Sequence, residues 1–133
     1  MEEALTNEIL PTETLARFLR QSRYKNSSGR IKYNAFLPAP DHDTSVFRVQ
    51  GLSKEQIKAI AVEHVNERSK NGAALFSANL VAKAKLQILS HEPPPRHANI
   101  RGWSMNEDPE LSKSERNAAA MILAEDSKWM DWS

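Results

Sequence analysis

The chain is 133 residues long, a length that suits one domain with a single hydrophobic core. Its 40% hydrophobic and 26% charged residues are values of an ordinary globular protein and exclude a disordered one. Eighteen basic and seventeen acidic residues leave a formal net charge of +1, so the overall charge does not point to nucleic acid or to a membrane surface. The chain has no cysteine, which excludes disulfides, thiol catalysis and cysteine-ligated metal sites.

Neither a signal peptide nor a membrane-spanning segment is expected. The first residues, "MEEALTNEIL", are acidic and lack an apolar run, and no stretch approaches the roughly eighteen apolar residues of a membrane span. We therefore expect a cytoplasmic protein with no membrane partner. Residues 1–133 form one domain in this interpretation, and residues 1–13 are an acidic segment that is either flexible or folded onto the basic residues after it.

The first half of the chain predicts two strands. "IKYNAFLP" (31–38) is rich in aromatic and branched residues, which is typical of a strand. "TSVFRVQ" (44–50) predicts a second strand and places Arg48 in its middle, where a charge needs an open face or a partner. "LARFLR" (15–20) fits a helical stripe and does not alternate cleanly, so its conformation stays open.

A helix over residues 54–69 has the clearest signal. Ser53 is a good N-cap, and Gln56 at the third helical position completes a capping box. Leu52 and Ile57 are spaced for a hydrophobic staple across that cap. Apolar residues at helical spacing then give this helix one apolar face.

The second half predicts a short strand over 73–76, a short helix from Ser77 to Ala84 and a strand over 85–90, with one longer strand as the alternative. A final helix is predicted over 112–129, because a capping box precedes a run of alanines. Together these elements predict the α+β class.

The predicted domain has one antiparallel or mixed sheet of about three to five strands. Its helices lie near 54–69 and 112–129, on one side of the sheet.

The stretch "HEPPPRHANIRGW" (91–103) is the most unusual in the chain. Its first part is similar to the His-Glu-x-x-His zinc motif, but that motif needs a helix, and Pro93 to Pro95 exclude one. The prolines instead predict a polyproline II arm that holds His91 and His97 far apart. We therefore expect no metal site and no cofactor from this motif, although a site completed by residues elsewhere stays open.

The same stretch carries a candidate site for an anionic ligand. Stiff backbone reduces the entropy cost of binding, arginine suits phosphate or carboxylate, and tryptophan supplies a stacking wall. The candidate ligand-binding residues are Arg48, Arg96, His97, Arg101 and Trp103, with Arg48 joining if its strand neighbours strand 85–90. The alternative is structural: Arg96 and Arg101 pair with Asp108 and Glu110, and Trp103 fills the core.

Other chemistry has weaker support. No G-x-S-x-G elbow is present, and a Ser45–His97–Asp arrangement can be drawn without any spacing that supports it. The basic run over 16–32 contains aromatic residues, a pattern found in nucleic-acid binding, but the acidic residues before it can neutralise it.

Two strings together, "TSVFRVQGL" (44–52) and "PPPRHANIRGW" (93–103), resemble an uncharacterised family of small, stand-alone bacterial proteins. The shared pattern is a Ser-Val-Phe-Arg strand, a Gly-Leu that opens a helix, a Pro-Pro-Arg-His-Ala-Asn-Ile segment and a Gly-Trp. The resemblance spans about residues 30–125 and brings no known reaction. It implies that one site contains the residues Ser45, Arg48, Arg96, His97, Asn99 and Trp103.

Three functional hypotheses follow. The first is a binding or accessory protein without enzymatic activity, whose Pro-Pro-Pro-Arg-His loop holds a small anionic ligand or a partner protein. The second is a small enzyme that acts on a phosphate-bearing substrate, a nucleotide or RNA, with His97 as the acid and base. The third is a structural subunit of a homodimer.

Overall fold

The computed structural model of the chain describes residues 8–19, 30–38, 43–64, 72–105 and 107–132. The strands are β1 (Thr14–Leu19), β2 (Thr44–Arg48), β3 (Gly72–Ser77), β4 (Gln87–Ser90), β5 (His97–Arg101) and β6 (Lys128–Asp131). The helices are α1 (Lys54–His64), α2 (Asn79–Lys83) and α3 (Pro109–Glu125), with a 3₁₀ turn at Tyr33–Ala35. The six strands form one sheet in the order β4-β5-β2-β1-β3-β6, and every pairing is antiparallel.

Each face of the sheet has its own hydrophobic core. The face under α3, which we call the α3 face, contains Leu15 of β1 and Ile100 of β5 and packs against Leu123. The opposite face, the α1 face, contains Phe18 and Phe47 and packs against Ile57 and other residues of α1. The helices therefore lie on both sides of the sheet, and the prediction that they share one side was wrong.

The position of β1 in the sheet explains why its sequence pattern was ambiguous. It pairs with β2 on one side and with β3 on the other, so it lies in the interior of the sheet. Leu15 and Leu19 are buried on the α3 face, and Ala16 and Phe18 are buried on the α1 face. A strand that is buried on both faces has no need for alternating polarity, so periodicity does not separate it from a helix.

The segment "IKYNAFLP" (31–38) is not the predicted strand. Its centre is a 3₁₀ turn, closed by hydrogen bonds from the Ala35 N–H to the Lys32 carbonyl and from the Phe36 N–H to the Tyr33 carbonyl. Phe36 is fully buried beside α3, and its carbonyl accepts the Thr44 hydroxyl at 2.9 Å. The apolar residues of this segment pack into the α3-face core instead of forming the predicted strand.

The capping box at the start of α1 is confirmed. The Ser53 hydroxyl accepts the Gln56 N–H at 3.2 Å, and the Gln56 side chain accepts the Ser53 N–H at 2.8 Å. The structure describes this helix as far as His64, and the predicted continuation over 65–69 lies outside the described residues.

The last predicted helix differs from the structure at both ends. It begins at Pro109 with Asp108 as its N-cap, because the Asp108 carboxylate accepts the N–H groups of Glu110 and Leu111. The predicted cap, Ser112, is buried inside the helix and donates to the Ser104 carbonyl. The helix ends at Glu125, and β6 follows it instead of another turn of helix.

The region between α1 and α3 matches the preferred interpretation. β3 covers the predicted short strand, α2 lies within the predicted short helix, and β4 lies within the predicted strand. Ser77 does not cap α2; its hydroxyl donates to the Pro11 carbonyl at 3.0 Å. The α+β class is confirmed, but the sheet has six strands, more than predicted. Among the described helices none is long and apolar enough to cross a membrane.

Candidate functional site

The proline-rich segment is a closed loop that joins β4 and β5 into a hairpin. The His91 N–H donates to the His97 carbonyl at 2.8 Å, and the His97 N–H donates to the Pro94 carbonyl at 3.1 Å. The Glu92 carboxylate accepts the Arg96 N–H at 2.8 Å and ties the loop across its own turn. The predicted polyproline arm was therefore wrong: the strands pair on either side of the prolines, and His91 and His97 lie next to each other.

The two strings that carry the family resemblance lie on paired strands. β2 pairs with β5, so Phe47 is opposite His97 and Ser45 is opposite Asn99. Because alternate residues of a strand share a face, these four side chains all belong to the α1 face, to which Phe47 is assigned by its packing. The sheet thus brings Ser45, His97 and Asn99 together across about fifty residues of sequence.

Ser45 and His97 form the closest polar contact of this region, which we call the serine–histidine pair. The Ser45 Oγ lies 2.6 Å from the His97 Nε2, and the His97 Nδ1 lies 2.9 Å from the carbonyl oxygen of His91. A carbonyl oxygen only accepts hydrogen bonds, so the Nδ1 carries the proton and donates it. The Nε2 is left with a lone pair and accepts the Ser45 hydroxyl proton.

The backbone of Ser45 is held by an arginine on the other side of the sheet. The Arg17 Nη1 donates to the Ser45 carbonyl at 2.8 Å, and the Arg17 Nε donates to the Ala35 carbonyl at 3.1 Å. The register of β1 and β2 pairs Leu15 with Arg48 and Ala16 with Phe47. Those pairs reach only as far as Phe47 of β2. The Arg17 guanidinium therefore holds β2 further along the strand, at Ser45.

Two further histidines lie around the serine–histidine pair. The His91 Nδ1 is 3.2 Å from the His97 Nδ1, with the two ring centroids 5.2 Å apart. The Phe47 ring meets the His97 ring edge-on at 5.3 Å and stacks near the His64 ring of α1 at 6.2 Å. Sequence reasoning left out His91 because it placed this residue at the far end of a rod.

Arg48 does not reach this site with its side chain. It shares the α3 face with Val46, and its Nε and Nη2 atoms donate to the Glu13 carboxylate at 2.9 and 2.7 Å. Both side chains are buried, with 3% of Arg48 and 10% of Glu13 exposed. The mid-strand charge has the partner that its position required, and the expectation that Arg48 joins a ligand site beside strand 85–90 is not met.

The other predicted ligand-binding residues bond to the protein itself. The Arg96 Nη1 donates to the Arg48 carbonyl at 3.1 Å, and the Arg48 N–H donates to the Arg96 carbonyl. The Arg101 Nε pairs with the Asp43 carboxylate at 3.2 Å, not with Asp108 or Glu110. Trp103 is buried in the α3-face core, as the structural alternative expected, and its Nε1 donates to the Ile100 carbonyl.

Comparisons with protein-family models, with curated proteins and with solved structures found no match. The function is therefore inferred from the contacts of the α1 face. Of the residues that the sequence placed in one site, that face gathers Ser45, His97 and Asn99.

Proposed function

We propose that the protein is a small hydrolase in which the Ser45 hydroxyl attacks an ester carbonyl and His97 takes up its proton. The ester C–O bond then breaks, the alcohol leaves with the proton from His97, and a water molecule that gives its proton to His97 releases the acid from Ser45. The 2.6 Å contact between the Ser45 Oγ and the His97 Nε2 carries this proposal. A hydroxyl becomes a useful nucleophile at neutral pH only when a base accepts its proton as the new bond forms. The imidazole is in place for that transfer, and Ser45 is exposed, so a substrate can reach it.

The His91 carbonyl supports His97 in this role. Its 2.9 Å hydrogen bond to the Nδ1 fixes the tautomer and the orientation of the imidazole, as the third member of a nucleophile–base arrangement does. A carbonyl dipole stabilises the imidazolium less than a carboxylate does. We therefore expect modest turnover and an activated-ester substrate in place of a stable amide.

Asn99 and Leu89 are placed to hold the substrate. Asn99 is directly opposite Ser45, so the Cβ atoms of the two are about 4.5–5.5 Å apart and the Asn99 amide is a donor candidate for the developing oxyanion. Leu89 is opposite Asn99 on β4 and is 46% exposed, so it offers an apolar surface to an acyl chain.

A carbonyl substrate fits this site better than the phosphate-bearing substrate that the sequence suggested. Stabilising a phosphoryl group requires cationic donors at the reacting centre. Arg48 is bonded to Glu13 on the opposite face, and Arg96 donates to a backbone carbonyl. Both guanidiniums thus donate to carboxylate or carbonyl groups of the protein itself.

The second candidate is the binding protein that the sequence favoured. The exposed Leu89 beside Asn99 supports it, since an apolar side chain next to polar donors and acceptors is typical of a small ligand site. In this case Ser45, His97 and Asn99 bind a ligand or a partner protein without chemistry. A cytoplasmic location is compatible with either function. Nucleic-acid binding and formation of a homodimer remain predictions from the sequence.

A fluorophosphonate probe distinguishes the two candidates, because it labels a serine only when a base activates it. We expect mass spectrometry to find the label on Ser45, and Ser45→Ala and His97→Gln to lose it. Hydrolysis of p-nitrophenyl esters should fall by about 10²- to 10⁴-fold in the same variants. Ser77→Ala is the matched control, because Ser77 is a strand serine whose hydroxyl donates to a carbonyl and not to a histidine. If the probe does not label Ser45, the hydrolase function is contradicted and the binding protein remains as the candidate.

A further inference from the structure

We propose that His91 and His97 form a two-histidine site for a late first-row divalent cation, with Zn²⁺ and Cu²⁺ as the best ligands for it. The two Nδ1 atoms are 3.2 Å apart and point at each other from the two ends of the loop between β4 and β5. Imidazole nitrogen is a preferred ligand of zinc, copper and nickel. The cation would take the place of the His97 Nδ1 proton, which now bonds to the His91 carbonyl.

The spacing of the two nitrogens matches a metal site. A zinc ion binds histidine at about 2.0–2.1 Å with tetrahedral angles, so two nitrogens on one ion are about 3.3 Å apart. The observed 3.2 Å separation differs from this by no more than a tenth of an ångström or so. The separation of the two nitrogens therefore suits one cation, which would displace the hydrogen bond between the His97 Nδ1 and the His91 carbonyl.

The hairpin preorganises the pair. The His91 N–H donates to the His97 carbonyl at 2.8 Å, so the backbone holds the two residues side by side before any ion binds. The Phe47 ring packs edge-on against the His97 ring from the sheet. His91 is exposed and His97 is half-buried, so a hydrated ion can reach both nitrogens.

Ser45 supplies the supporting partner that metal-bound histidines usually have. When the Nδ1 of His97 binds a cation, the ring proton moves to the Nε2 through solvent, and the Nε2 donates to the Ser45 Oγ at 2.6 Å. No net proton is released from a neutral imidazole in this change.

The remaining ligands are water molecules. In the described ranges of the chain, no group of three or more histidine and acidic side chains is placed to hold a metal ion. Glu92 is the nearest carboxylate in sequence, and it accepts the Arg96 N–H. A site with two protein nitrogens and open positions exchanges its ion readily, and it discriminates against Mg²⁺, which prefers oxygen ligands.

Isothermal titration of the full chain with ZnCl₂, CuCl₂ and MgCl₂ tests the site. We expect one ion of Zn²⁺ or Cu²⁺ per chain, with Cu²⁺ the tighter, and no binding of Mg²⁺. Since even a supporting partner of a metal ligand contributes about tenfold to affinity, His91→Ala should weaken binding by about tenfold or more. His64→Ala is the matched control, because it removes a histidine near Phe47 that is not part of the pair, and it should leave the affinity unchanged.

Electron paramagnetic resonance of the Cu²⁺-loaded wild-type chain gives a second readout that does not depend on a variant. Two coordinated imidazole nitrogens are expected. Equal affinity of wild type and His91→Ala, or a spectrum with no more than one imidazole, would overturn the proposal. Metal binding does not rest on the proposed hydrolysis, so each is tested without the other.

Discussion

Glu13 and Arg48 form a buried ion pair that links the segment before β1 to the middle of the sheet. Both nitrogens of one edge of the guanidinium contact the carboxylate, and the Arg48 Nη2 also lies 3.4 Å from the Glu8 carbonyl. A buried charge is tolerated only when it is paired and hydrogen-bonded. Glu13, the last residue of the acidic segment, thus bonds to an arginine of β2, which lies outside the basic run that the sequence suggested.

Removing the carboxylate of this pair should be costly. Glu13→Ala leaves the Arg48 charge buried without its partner, and we expect a loss of about 3–5 kcal/mol in the free energy of unfolding, measured by urea denaturation. Glu63→Ala is the control, because Glu63 is 74% exposed beside His64 and its removal should cost no more than about 1 kcal/mol. Equal effects of the two substitutions would show that burial does not govern the Glu13–Arg48 contact.

At the scale of single elements, the sequence predicted those helices and strands whose position depends on residues close together in the chain. The cap at Ser53 located α1, and the segment "TSVFRVQ" predicted β2. The 3₁₀ turn and β6 were missed because packing against α3 and pairing with β3 decide them. No glycine or proline lies between Glu125 and Lys128 to indicate that the helix stops.

The sequence also predicted only part of the candidate site, because pairing between strands that are distant in the chain assembles it. His97 was singled out, and Ser45 and Asn99 entered through the family resemblance, but the register of β2 and β5 is what places the three together. His91 was excluded because three prolines suggested a rod. The loop instead turns back on itself, through backbone bonds from His91 to His97 and from His97 to Pro94 that no local preference indicates.

The α1 cap gives a quantitative test at this scale. Ser53→Ala removes the side-chain acceptor of the Gln56 N–H, while the backbone N–H of residue 53 can still donate to the Gln56 side chain. We expect a loss of about 1 kcal/mol in the free energy of unfolding, measured by thermal or urea denaturation. Ser114→Ala, an exposed serine inside α3, should be neutral or slightly stabilising, because alanine has the higher helix propensity. A Ser53 effect no larger than that of Ser114 would argue against the capping box.

At the scale of the whole molecule, Gly72 controls how the last strand joins the sheet. β6 pairs with β3, and Gly72 is opposite Asp131. A Cβ at Gly72 would collide with the Met130 carbonyl oxygen and lie 2.8 Å from the Trp129 Cζ2. Backbone cannot give way as a flexible side chain does, so only glycine allows β6 to approach β3 here.

Gly72→Ala should therefore detach β6. We expect the amides of Lys128–Asp131 to lose protection in hydrogen exchange and the melting temperature to fall. Gly51→Ala is the control: its added Cβ meets nothing within 4 Å, but its φ of +79° is left-handed. That variant should cost about 1–2 kcal/mol without a change at β6. Full protection of β6 in Gly72→Ala would mean that the strand adapts to the extra atom.

The order of the strands has a consequence for how the chain is made. β1 comes first and lies in the interior of the sheet, with β2 on one side of it and β3 on the other. The β4–β5 hairpin then adds beyond β2, and β6 adds beyond β3. A ribosome releases the chain from its N-terminal side onward, and among the described strands after β1 only β4 has no earlier partner, since it pairs with β5. The nascent chain can therefore extend its sheet outward during synthesis, and no interior strand has to remain unpaired until the last residues emerge.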